Sequence, residues 1–273
     1  ITMEANPGTV SLEQMKLCRK ASINRISLGL QSTVQQELDM LGRIHTYEEF
    51  LQSCQWAREA GFDNINVDLM FAIPGQTCES WKHNLETVAE LLPEHISAYS
   101  LIIEEGTPFA RKKLILPTED EEYQMYEDTA EILRKYGFHQ YEISNYARNG
   151  FECRHNKGYW QRTEYLGVGL GAASLFQGQR FSNTSDMKVY LSDSTDPEKI
   201  REDVTTLSGS NEMEEFMFLG LRMTEGISER QFERNFGCRI EDIYGSVLTK
   251  YKDMDLLEHT GDCLLYTSPS PRD

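Results

Sequence analysis

The stretch INVDLMFAIPGQT, residues 65–77, decides the fold: Ile65 to Phe71 has strand length and Pro74-Gly75 closes it. Asp68 stands inside this apolar run, where a charge costs several kcal/mol unless it is paired or faces a polar interior. Two arrangements satisfy it: an internal ion pair with Arg25 or Arg43, or a place on the polar inner wall of a barrel.

Working outward, apolar runs of strand length alternate with helical patterns, the signature of repeated βα units in a parallel sheet. ITMEANPGT at residues 1–9 reads as a strand in progress, and a helix follows from the Ser11/Gln14 capping box. The strand Arg25 to Gln31 comes next, then helices from about Val34 to Leu41 and from Thr46 to Ala60. After the strand at 65–71, a helix carrying Trp81, Leu85, Val88 and Leu92 leads to a strand over Ile96 to Ile103 and a turn at 105–108. Thr118 and Glu121 cap a long amphipathic helix reaching Tyr136, and Tyr141 to Tyr146 reads as a fifth strand.

From about Arg201 the pattern turns helix-rich, with apolar positions at Met213, Phe216, Met217, Leu219 and Leu221 and a short helix started by Ser228. The expected organisation is a barrel-type domain over residues 1–191, an acidic linker at 192–208 and a small C-terminal domain at 209–262. Residues 263–273, CLLYTSPSPRD, read as the translation of a sequencing adapter and are set apart from the fold. The chain opens at Ile1 inside a strand pattern, so upstream sequence is expected.

A net charge of -17 over 273 residues argues against a nucleic-acid backbone or an anionic membrane surface as partner. No apolar run reaches the roughly 20 residues of a bilayer span, and no secretion signal opens the chain, which points to a cytoplasmic protein. The six cysteines lack CxxC or CxxxCxxC spacing and read as isolated reduced thiols.

In parallel βα folds chemistry gathers at the C-terminal strand ends, where Glu4, Gln31, Arg43 and Asp68 form a series from successive units. Further on, CRHNKGYW at 153–160 sets His155 beside Tyr159 and Trp160; imidazole can ligate haem iron and aromatic faces can line a flat macrocycle. The same residue types also serve as hydrogen-bonded structural groups. The glycines of YLGVGLGA at 165–172 are a weak match to a dinucleotide fingerprint, and close backbone approach to a bulky ligand accounts for them equally well.

The segments EANPGT (4–9), NRISLGLQS (24–32), INVDLMFAIPGQT (65–77) and HISAYSLIIEEGTPF (95–109), in this order, resemble the oxygen-independent coproporphyrinogen III oxidase family of radical S-adenosylmethionine (radical SAM) proteins. YEISNYA (141–147), CRHNKGYW and YLGVGLGAAS look most like its HemW-type haem chaperone branch. The resemblance implies an α/β fold, a partial (β/α)6 radical SAM barrel with its first βα units missing, followed by a small helix-rich C-terminal domain. It implies that Glu4, Gln31, Arg43 and Asp68 contact S-adenosylmethionine, with Ile102 near its adenine. It makes His155, Asn156, Tyr159 and Trp160 a haem-binding element, His155 being the candidate iron ligand. The family's [4Fe-4S] cluster sits on a CxxxCxxC loop, so its ligands are expected upstream of Ile1. The implied function is a haem chaperone that passes haem to respiratory haem proteins; the alternative is an enzyme, an oxygen-independent coproporphyrinogen III dehydrogenase of porphyrin biosynthesis.

Overall fold

The computed structural model describes residues 1–107 and 109–266 and divides into two compact units, Ile1–Glu152 and the chain from Cys153 on. In the first, the parallel strands β1 (Thr2–Ala5), β2 (Arg25–Gln31), β3 (Ile65–Phe71) and β4 (His95–Ser100) are joined through α1 (Leu12–Lys20), α2 (Gln35–Met40), α3 (Tyr47–Glu59) and α4 (Cys78–Glu90). Then follow α5 (Glu119–Lys135), β5 (His139–Glu142) and β6 (Asn145–Ala147), giving the sheet order β1-β2-β3-β4-β6-β5. Capping boxes at Ser11/Gln14, Thr46/Glu49 and Thr118/Glu121 start α1, α3 and α5, each satisfying backbone donors that the first helical turn leaves open.

Strand alternation sorts the side chains between two faces. Ile26, Leu28 and Leu30 of β2, Val67, Leu69 and Phe71 of β3, and Ile96 and Ala98 of β4 are buried in one core with Met15, Phe50, Trp81, Leu85 and Val88 of the helices. The intervening positions, Ser27, Gly29 and Gln31, Asn66 and Asp68, His95, Ser97 and Tyr99, form a polar inner face.

Two strand expectations change. The run expected over Ile96 to Ile103 is strand only to Ser100, and Pro108 of the turn that follows lies outside the described residues. The single strand expected over Tyr141 to Tyr146 is the hairpin β5–β6, with β6 antiparallel to β4 through Ser97↔Asn145 and Ile96↔Tyr146. Its reversal at Ile143-Ser144 carries neither Gly nor Pro, so the local signal of a turn is missing.

The second unit holds α6 (Arg154–Trp160), an antiparallel sheet β7 (Ala173–Phe176), β8 (Gln179–Asn183) and β9 (Arg201–Thr206), with α7 (Met187–Asp193) and α8 (Pro197–Ile200) before β9. It continues with α9 (Gly209–Gly220), β10 (Ile227–Ser228), α10 (Glu229–Phe236), α11 (Ile240–Asp253), β11 (Leu257–Thr260) and β12 (Cys263–Tyr266). Phe216, Phe232, Ile240, Leu248 and Leu264 make its core.

The stretch 192–208, expected as a linker, is thus regular structure: β9 pairs with β8 through Arg180↔Thr205 and Asn183↔Arg201. It is an edge strand whose side chains are nearly all exposed, so its composition is that of a solvated segment. Residues 263–266, expected to stand apart, form β12 between β10 and β11 with Leu264 fully buried. Four residues with an apolar side chain at the inward position suffice for such a strand, whatever their origin. Residues 267–273 of that stretch lie outside the described residues.

Candidate functional site

Gln31 ends β2 in the left-handed region (φ 72°), and its Oε1 accepts a hydrogen bond from Tyr99 Oη at 2.9 Å. Its amide nitrogen crosses Gly29, where a Cβ would stand 3.1 Å from it and 3.3 Å from Asn6 Oδ1, tight contacts that glycine avoids. Arg43, in the loop after α2, donates to Asn6 Oδ1 at 3.1 Å, beyond the exposed Glu4 at the end of β1.

Of the two arrangements open to Asp68, the structure shows the polar inner face and not an ion pair with Arg25 or Arg43. Its carboxylate accepts from Ser27 Oγ (3.1 Å) and Asn66 Nδ2 (2.8 Å), neutral donors on the same inner face. Burial raises its pKa, the hydrogen bonds from Asn66, Ser27 and Ser97 oppose the rise, and the charge of Glu4 adds to it. Neutral partners suit a carboxylate that must stay open to a cationic or hydroxyl-bearing ligand.

Tyr99 joins these residues, although sequence reasoning passed over it. Burial is the first cause raising its phenol pKa; the charge of Asp68 raises it further, the hydrogen bond to Gln31 and the charge of Arg43 lower it, and Glu4 raises it. Of the four candidates, Gln31 touches this hydroxyl directly, while Asp68, Arg43 and Glu4 reach it through their charge. The available signal was parity: Tyr99 follows His95 and Ser97 on the polar face of β4. Ile102 lies past the end of β4 with 76% of its surface exposed.

Below this layer, His95 is fully buried between Asn66 Oδ1 and Tyr141 Oη (2.8 Å), and desolvation, then the charge of Arg25, holds its pKa well below the usual value. The unfolded chain takes up this proton near pH ~6.5 and the folded chain does not, so stability is complete above that pH and falls as pH drops toward the depressed value. Thermal midpoints measured from pH 8 to 5 should fall on the acid side, and His95→Gln should flatten that part of the slope while lowering stability throughout.

In the second unit, α6 presents His155 and Tyr159 one turn apart, their rings 4.5 Å apart at 72°. Tyr159 in turn meets Tyr165 edge-on at 4.6 Å. These three side chains, with Arg154, Gly158, Thr163 and Glu164, line an open cavity of about 120 Å³. His155 is exposed, which leaves its ring available to a ligand. The other two residues of the motif do different work. Asn156 Oδ1 accepts from Cys153 Sγ at 3.4 Å at the start of the helix. Trp160 lies under the Arg222 guanidinium at 4.7 Å and lines a separate cavity of about 190 Å³ with Phe216, Met223 and Ile227. The close approach expected at the glycine run is to the chain itself: a Cβ on Gly167 would stand 2.2 Å from the Ala173 carbonyl oxygen.

Among the described residues no three His, Cys, Asp or Glu side chains gather as a metal site, and no disulfide links two cysteines. None of the described helices is long and apolar enough to cross a membrane.

The sequence matches the Radical SAM superfamily over residues 1–88 and the HemN C-terminal domain over residues 207–269. It is similar to the heme chaperone HemW of Lactococcus lactis, 40% identical over 260 residues, covering 94% of this chain and 68% of that one. It is likewise similar to the heme chaperone HemW of Bacillus subtilis, 37% identical over 271 residues, with 97% and 70% covered. Among solved structures, coproporphyrinogen III oxidase (HemN) from Escherichia coli superposes with a TM-score of 0.84 at 20% identity, covering 98% of this chain and 66% of that chain, a likeness in fold. The chain spans about two thirds of the length of these proteins. A radical SAM domain implies S-adenosylmethionine and a [4Fe-4S] cluster. The polar groups gathered at the strand ends fit the first; among the described residues no ligand set gathers for the second. With two thirds of a HemW relative covered at 40% identity and both domain matches in chain order, the chain belongs to the HemW-type radical SAM family.

Proposed function

We propose that this chain is the greater part of a haem chaperone, which binds haem through α6 and passes it to respiratory haem proteins in the cytoplasm. The observation that carries the reading is the exposed His155 ring, set edge-on to Tyr159 at 4.5 Å beside an open cavity. Its chemistry is that of an axial imidazole with an aromatic neighbour for the macrocycle. Relatives named heme chaperone HemW at 37–40% identity support it. Cysteines that form no disulfide among the described residues accord with a reducing compartment.

Glu4, Gln31, Arg43 and Asp68 would hold S-adenosylmethionine, with Tyr99 hydrogen-bonded to Gln31 beside them and Ile102 near its adenine. When bound at a [4Fe-4S] cluster in the whole protein, that cofactor supplies radical chemistry. The chain's own part is to orient it: carboxylates for its hydroxyls and amine, the Gln31 amide and Tyr99 hydroxyl for its polar edge.

Haem titrated into the full-length protein should shift the Soret band, and His155→Ala should weaken binding by about 10- to 100-fold, roughly 1.4–2.8 kcal/mol. Absence of haem binding together with anaerobic conversion of coproporphyrinogen III to protoporphyrinogen would overturn the chaperone reading in favour of the oxidase.

A further inference from the structure

Glu37, on α2, is 6% exposed, and the partners of its carboxylate are all neutral. It accepts from Ser32 Oγ (2.6 Å), Gln76 Nε2 (3.0 Å), Asn84 Nδ2 (3.1 Å) and Ser80 Oγ. A buried anion is tolerated when donors saturate it in this way. Asn84 extends the cluster by accepting from the Thr33 backbone N–H and from Thr33 Oγ1 at 2.8 Å.

These partners come from the loop after β2, the loop after β3, and α4, so one carboxylate ties two strand-end loops to a helix. The first of those loops begins just after Gln31. A left-handed φ on a residue other than glycine is strained and persists only where the surroundings hold it. The β2–β3 register shifts between Leu28 and Gln31, a bulge after which Gln31 pairs with Leu69, so its left-handed backbone stands where the regular ladder is interrupted. The next two residues, Ser32 and Thr33, are the ones pinned by Glu37 and Asn84.

We propose that Glu37 is a positioning residue for S-adenosylmethionine: by anchoring Ser32 and Thr33 it holds Gln31 in the left-handed conformation that lays its amide across Gly29 and against Tyr99. The inference rests on the reading of Gln31 as a cofactor contact. Its role is distinct from general stability, because the effect on the cofactor runs through a single side chain.

A double-mutant cycle on the full-length, cluster-containing protein tests this, with S-adenosylmethionine affinity read by calorimetry and folding followed by circular dichroism. Gln31→Ala and Glu37→Gln should each weaken binding about tenfold, and the double variant should lose little more than either alone, because both remove the same contact. Ser32→Ala, which leaves the other three donors on Glu37, should shift affinity in the same direction by less. A roughly hundredfold, additive loss in the double variant, or unchanged affinity in Glu37→Gln while Gln31→Ala weakens binding, overturns this inference alone. Unchanged affinity in Gln31→Ala overturns the cofactor reading of Gln31, and this inference with it.

Discussion

Replacing Trp81 by Ala should lower the unfolding free energy of the first unit by about 3–5 kcal/mol, a large part of what a domain of this size possesses. Trp81 is fully buried, and its ring lies 5.4 Å from that of Phe71 on β3. Its Nε1–H donates to the Met125 carbonyl and to Thr129 Oγ1, both at 2.9 Å, so the residue joins α4 to α5 as well as to the sheet. Truncation removes apolar burial, leaves a cavity and strips the two acceptors of a donor. Trp81→Phe separates these effects: it keeps most of the volume and should cost about 1–3 kcal/mol, for the lost donor and the remaining gap. Urea unfolding monitored by circular dichroism decides the matter. A loss under about 1 kcal/mol for the alanine variant would mean that this packing is not what holds α4 and α5 to the sheet.

The corresponding weak point of the second unit is Glu215. It is 8% exposed and accepts from Arg162 Nε at 2.9 Å, just after α6, and from Arg180 Nε at 2.6 Å on β8. Burial alone would raise its pKa, but the hydrogen bonds and charges of the two arginines hold it below the usual carboxylate range. The contribution to stability is therefore present above the unfolded value near pH ~4.3 and is lost as pH falls through the depressed folded value. Glu215→Ala leaves both guanidinium groups without their carboxylate and should cost roughly 3 kcal/mol, the lower end for a broken buried pair because Arg180 is about one third exposed. Glu215→Gln should recover part of that by keeping one acceptor. A loss of only a few tenths of a kcal/mol on alanine substitution, the range of a surface pair, would show that solvent already screens the cluster.

Much of the first unit was legible because its signals are local. Capping boxes at Ser11, Thr46 and Thr118 begin helices where they should, and β2 and β3 end at Gln31 and Phe71 as the apolar runs indicate. The hairpin at 139–147 was not legible as such, because a strand and a hairpin without Gly or Pro at its turn share the same short-range pattern. Composition misled at β9, where exposure on an edge strand produces the residues of a linker. Asp68 stood out as a charge inside an apolar run, Glu4 and Gln31 by their places near the ends of expected strands, and Arg43 by following a helix. Tyr99 did not, since an aromatic residue in a strand is ordinary.

By itself the sequence determined which runs are strands and helices and which helices are capped, all properties with a period of a few residues. Only the tertiary structure decided who meets whom. Asp68, the residue inside the opening stretch, was readable as a buried carboxylate needing a partner, but an arginine and a serine across the sheet satisfy that need equally on paper. The register Ser27↔Asn66 and Asp68↔Ser97 settles it with neutral donors, because strand pairing brings together residues some 30–40 positions apart that no local pattern connects.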